Sequence, residues 1–168
     1  MRTKAIVVMG VAGCGKSTVG LALSQRLGGA LIEGDDFHSL GNRQKMASGQ
    51  ALTDDDRLPW LQTLSLQLSK PIGNVVMTCS ALKASYRDIL RSVVPNLLFV
   101  YLAIDKTTAH QRTQSRADHF FSADLVDSQF GTLEPPTGEP LVLQCDATQS
   151  IDHIINRIMV WVDSEVLV

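Results

Sequence analysis

Apolar residues along the chain fall into two kinds of run. Residues 5–9 (AIVVM), 30–33 (ALIE), 75–79 (VVMTC), 97–104 (LLFVYLAI) and 141–145 (LVLQC) are short and nearly continuous, the pattern of strands buried on both faces. Between them, residues 17–27, 61–68, 84–93, 107–116 and 151–162 carry apolar side chains at helical spacing. The alternation predicts an α/β fold of three layers, a five-stranded parallel sheet flanked by helices. Two polar stretches fit neither pattern. Residues 40–58 (LGNRQKMASGQALTDDDRL) and 117–134 both follow strands, at the sheet end where open α/β folds take their ligands. They are expected to form a substrate-binding insertion (about 37–60) and a lid (about 116–134) on a single domain spanning 1–168.

Composition narrows the partners. Fifteen Lys+Arg against seventeen Asp+Glu leave a net charge of −2, without the positive field that non-specific nucleic-acid binding uses. Aromatics at 5% are too few for a base-stacking platform, so no nucleic acid is expected. The longest mostly apolar uncharged stretch, residues 93–104, falls short of the roughly 18 residues of a membrane span, and no membrane partner is expected. The run at 5–9 is also too short for the apolar region of a secretory leader. Three scattered cysteines, Cys14, Cys79 and Cys145, form no CxxC pair and point to a reducing, cytoplasmic compartment.

The strongest chemical signal is Gly10-Val11-Ala12-Gly13-Cys14-Gly15-Lys16-Ser17, followed by Thr18. It matches the P-loop pattern G-x-x-x-x-G-K-[ST] and lies between the first strand and the first helix. Glycines let backbone N–H groups wrap a phosphate, and the helix start adds the positive end of its dipole. In such a loop Lys16 reaches the β- and γ-phosphates and the Ser17 hydroxyl ligates Mg²⁺, so ATP and Mg²⁺ are the expected cofactors. A dinucleotide fingerprint is rejected because Gly13-x-Gly15 is not completed by a third small residue. The chain also lacks the N-K-x-D and D-x-x-G motifs of a GTPase switch. A small ATP-using enzyme remains.

Phosphoryl transfer needs an acceptor site and a group to handle the acceptor's proton. Gly34-Asp35-Asp36-Phe37-His38 ends the second strand, which this reading places beside the P-loop strand. A carboxylate there can take a hydroxyl proton and hold Mg²⁺-bound water, although an Asp pair after a strand also serves as a turn or helix cap.

Taken together, the motifs resemble one family, the small gluconate kinases, relatives of the shikimate and nucleoside-monophosphate kinases. The resemblance is carried by MGVAGCGKST (9–18), EGDDFH (33–38), NRQKMASGQALTDDDRLPWL (42–61), CSALKASYRDILR (79–91), FVYL (99–102), SRADHFF (115–121) and DSQFGTLEPP (127–136). Ala12 and Cys14 depart from it, standing where the family usually has Ser and a small hydroxyl residue.

The resemblance implies ATP-dependent phosphorylation of D-gluconate to 6-phospho-D-gluconate by a cytoplasmic homodimer. A related small-molecule or nucleotide kinase with another acceptor is the alternative. Lys16, Asp35 and Arg116 are the expected catalytic residues. Arg112 and Arg116, spaced i, i+4, match a pair that clamps ATP phosphates when the lid closes. The acceptor set is expected among Asp35, His38, Arg43, Arg57, Lys83, Arg87 and His119. Gluconate's carboxylate calls for a cationic fork; Arg57 is a candidate, as are one or both of Lys83 and Arg87, and which of them holds it stays open. Lys83 and Arg87, at i, i+4, are expected on one helical face. Asp54, Asp55 and Asp56 read as a helix cap and first turn, and Pro59 and Trp60 as a rigid helix start and a core anchor.

Overall fold

The computed structural model describes residues 3–115 and 122–165. The chain runs β1 (Ala5–Met9), α1 (Lys16–Leu27), β2 (Ala30–Glu33), a 3₁₀ turn (Gly34–Phe37), α2 (Leu40–Ala47), α3 (Asp54–Leu68), β3 (Val75–Thr78) and α4 (Ala84–Arg91). It continues with β4 (Leu98–Ala103), α5 (Lys106–Gln114), α6 (Ala123–Thr132), β5 (Val142–Asp146) and α7 (Ile151–Glu165). All five strands are parallel, in the order β2-β3-β1-β4-β5. Val7 lies in register with Met77 on one side and Phe99 on the other. α1 packs with α7, and α3 with α4.

Ile6 to Met9, Val75 to Met77 and Phe99 are fully or almost fully buried. Continuous apolar sequence therefore marks the three central strands, whose two faces both meet helices. The edge strands β2 and β5 are only partly buried. The expectation that β2 neighbours the P-loop strand is corrected, because β3 pairs with both and lies between them. The chain recovers the distance by turning across the end of β3. A Cβ at Gly34 would stand 2.2 Å from the Thr78 carbonyl oxygen, so glycine lets the turn lie against that strand end.

The two polar stretches contain helices. α3 begins seven residues before its apolar periodicity. Thr53 caps it, its hydroxyl accepting from the Asp56 N–H while the Asp56 carboxylate accepts from the Thr53 N–H, a reciprocal capping box. Asp54, Asp55 and Asp56 fill the first turn, where negative charge opposes the dipole, and Pro59 lies inside the helix rather than at its start. α2 and α6 are each capped by serine, Ser39 and Ser122, accepting from backbone N–H groups.

Arg87 is buried completely and uses all five of its N–H donors within the protein. They reach the carbonyls of Ala81, Leu82 and Glu134 and the carboxylate of Glu139. Arg91 joins the same carboxylate at 2.9 Å, and hydrogen bonds from Arg87 first, then Arg91, hold Glu139 below the usual carboxylate range. This corrects the acceptor role expected for Arg87, since no donor is left for a substrate. Arg87→Met is expected to lower the free energy of unfolding by about 3–5 kcal/mol, as the loss of one partner of a buried pair does. Urea denaturation checks it, and KM measured on the folded fraction should stay at the wild-type value.

Candidate active site

A cavity of about 470 Å³ opens at the carboxyl ends of the strands. One wall is the P-loop: Ala12, Gly13, Gly15, Lys16 and Ser17 face the space. Gly10, Val11, Cys14 and Thr18 complete the loop, with the Cys14 side chain buried in the core. Gly15 adopts a left-handed conformation (φ 97°) at the start of α1, which has no side-chain cap. The first-turn amides of α1 thus have no intrahelical acceptor and form a ready anion site. Gly13, also left-handed at φ 83°, passes so close to α5 that a Cβ would lie 2.7 Å from the Ala109 carbonyl oxygen.

Lys16 Nζ donates to the carbonyls of Gly10 and Val11, each at 3.1 Å, which holds the ammonium at the loop mouth. The Ser17 hydroxyl donates to Glu33 at 3.1 Å, and Thr78 donates to the same carboxylate oxygen at 2.5 Å. Sequence reasoning missed Glu33, although it stands in the EGDD run at the end of β2. Ser17 and Glu33 together offer hard oxygen donors of the kind Mg²⁺ takes alongside substrate phosphates. Among the described residues no group of three or more His, Cys, Asp and Glu is placed to hold a metal on its own.

The opposite wall is assembled by α3 and the 3₁₀ turn. The Trp60 indole N–H donates to the Gly34 carbonyl at 2.8 Å, and its ring stacks on His38 with centroids 4.1 Å apart. Trp60 is thus a cavity wall as well as a core anchor. Asp35, its carboxylate largely exposed, lines the same space. The Asn42 amide donates to the Asp56 carbonyl at 2.9 Å and lies 3.4 Å from His38 Nδ1. A carboxamide nitrogen only donates, so Nδ1 accepts and the ring proton sits on Nε2, 3.8 Å from Asp35. Burial first, then the charges of Arg43 and Arg57, push His38 below its ordinary pKa, and Asp35 opposes them.

The cations divide sharply. Arg57 is 8% exposed, lines the cavity and donates to the Tyr86 hydroxyl at 3.3 Å. Tyr86 in turn donates to Asp54, a bond that together with Lys83 lowers the Asp54 pKa. Lys83 sits as the cap residue before α4, with Nζ 2.9 Å from both Asp54 oxygens. Lys83 and Arg87 therefore point to different partners, because the i, i+4 relation presumes that both are helical. Arg43 braces the turn through the carbonyls of Asp36 and His38, and Arg112 donates to the Ala147 carbonyl at 3.0 Å. Neither lines the cavity. Arg116 and His119 lie outside the described residues. From α6, Gln129 reaches the P-loop and accepts from the Ala12 N–H at 2.7 Å, another contact that sequence reasoning missed.

A P-loop closing one side of a cavity, with a carboxylate and a buried guanidinium on the other, defines a P-loop phosphotransferase. A family profile described as an AAA domain matches residues 6–136. The chain is 47% identical over 142 residues to a probable gluconokinase of Schizosaccharomyces pombe, covering 79% of this chain and 74% of that one. It is 42% identical to the thermoresistant gluconokinase of Escherichia coli K12, covering 89% and 87%. A crystal structure of a gluconokinase from Sinorhizobium meliloti 1021 superposes with a TM-score of 0.85 at 42% identity, covering 92% and 88%. The chain belongs to the gluconokinase family.

The His38 environment sets a pH dependence. Unfolded, His38 titrates near its ordinary value of 6.5, whereas the folded value is lower. The unfolded chain therefore takes up the proton first on acidification, and stability falls as pH drops below 6.5 until folded His38 protonates too. The lowered carboxylates Asp54, Asp56 and Asp127 have an ordinary value of 3.8, well below that window. Tm measured from pH 7.5 to 5.5 should fall as the pH drops below 6.5. His38→Gln should flatten the slope.

Proposed function

We infer that the chain transfers the γ-phosphoryl group of ATP to the C6 hydroxyl of D-gluconate, giving 6-phospho-D-gluconate. The observation that carries this reading is a buried guanidinium, Arg57, in one cavity with Lys16 and Asp35. Gluconate is a polyol with one carboxylate. Of the three candidate cations for it, Lys83 is engaged by Asp54 and Arg87 by Glu139, which favours Arg57.

In this reading the uncapped start of α1 and Lys16 bind the nucleotide phosphates. Ser17 and Glu33 hold the Mg²⁺ that accompanies them, which supplies charge neutralisation at the transferring group. Asp35 accepts the acceptor's proton, and the His38 Nε2–H serves as a hydrogen-bond donor toward the hydroxyls. Trp60 shields this region from water. Arg112 and Arg116 as phosphate clamps, His119 as an acceptor contact and homodimeric assembly enter through the family resemblance. A cytoplasmic location suits three cysteines that are all free and buried.

A coupled ADP-release assay with gluconate and glucose tests the substrate class. Glucose lacks the carboxylate and leaves Arg57 unpaired, so kcat/KM should favour gluconate by about 10⁴-fold. Comparable activity on glucose would sink the sugar-acid reading. Asp35→Asn is expected to lower kcat by roughly 10²–10⁴-fold with ATP affinity within twofold of wild type. A kcat within about threefold would remove Asp35 as the base.

A further inference from the structure

Gln129 hydrogen-bonds α6 to the P-loop. α6 is anchored by buried Leu125 and Val126 and packs on α5. This fixes the height at which Gln129 enters the cavity beside Ala12. Its carbonyl oxygen accepts from the Ala12 N–H at 2.7 Å.

Three P-loop amides are already engaged within the protein. Gly10 donates to the Ser80 carbonyl and Cys14 to that of Val11, and Ala12, between them, donates to Gln129. These amides belong to the scaffold. Phosphate falls to the uncapped amides at the start of α1. The Ala12–Gln129 bond is therefore compatible with bound nucleotide. A carboxamide held by its oxygen has its orientation fixed, and its NH₂ group carries two donors. Among the described residues that nitrogen has no hydrogen-bond acceptor, and the side chain lines the cavity that also holds Asp35, His38 and Arg57.

We propose that Gln129 is an acceptor-binding residue: anchored by the Ala12 N–H, its carboxamide NH₂ donates to hydroxyl oxygens of the polyhydroxy acid. This assignment rests on the sugar-acid kinase reading. It makes α6 a wall of the acceptor pocket, so that discrimination among polyols comes from both α3 and α6.

Steady-state kinetics of Gln129→Ala and Gln129→Glu test it, together with nucleotide affinity by titration calorimetry. Gln129→Ala should raise the gluconate KM at least tenfold, with kcat at saturation within about threefold and ATP affinity within twofold of wild type. Gln129→Glu keeps an acceptor for Ala12 but replaces the donors with a negative charge beside an anionic substrate, so its gluconate KM should rise further. An unchanged gluconate KM in Gln129→Ala overturns the assignment while leaving the kinase reading intact. So does tighter ATP binding in that variant, which would make Gln129 a plug of the phosphate site. Wild-type protein that binds ATP but does not phosphorylate gluconate overturns both.

Discussion

The hydrogen bond from the Trp60 indole to the Gly34 carbonyl is the constraint on which the cavity wall opposite the P-loop depends. Gly34 already lies against the end of β3, where a side chain has no room. Trp60 fixes α3 to that point, and through α3 it fixes Arg57, three residues earlier. His38 stacks on the same indole. A single buried donor thus references the carboxylate, the imidazole and the guanidinium to the sheet, and the sheet carries the P-loop two strands away. Catalytic groups gain from such rigid support because small misplacements are costly in rate.

The P-loop was fully legible in the sequence because its chemistry is backbone chemistry and glycine spacing encodes backbone directly. The central strands were legible for a related reason, since burial on both faces leaves a continuous apolar run. The start of α3 was hidden. Its first turn is Asp54-Asp55-Asp56, residues chosen for the dipole and the cap rather than for the core, so apolar periodicity begins only at Leu61. The neighbour relation of β2 was misjudged because strand order is a long-range property that no local pattern carries.

Charged side chains were the least legible part. Arg57, Lys83 and Arg87 look equivalent as letters, yet only Arg57 faces the cavity. Lys83 and Arg87 differ through partners far along the chain, Asp54 and Glu139. Their i, i+4 spacing carried no information once Lys83 proved to be a cap residue with extended backbone. Glu33 and Gln129 were missed for the opposite reason. Each is an unremarkable polar letter until the fold sets it beside Ser17 or Ala12.

Under the proposed function, the division of cations lets one small cavity serve two anionic substrates. A nearly neutral chain has no global field to draw in anions, so attraction must be local. Lys16 is held at one end by its own loop carbonyls. Arg57 is held at the other by Tyr86, whose hydroxyl is turned toward Asp54 and therefore offers its lone pair to the guanidinium. Asp54, clamped by Lys83, thus orients Arg57 without touching the cavity. Asp35 lines the same cavity, free of any close ion pair among the described residues beyond His38 at 3.8 Å. In the proposed reading, Lys16 takes the nucleotide's anion, Arg57 the sugar acid's and Asp35 the acceptor's proton, which is the charge pattern that phosphoryl transfer between the two requires.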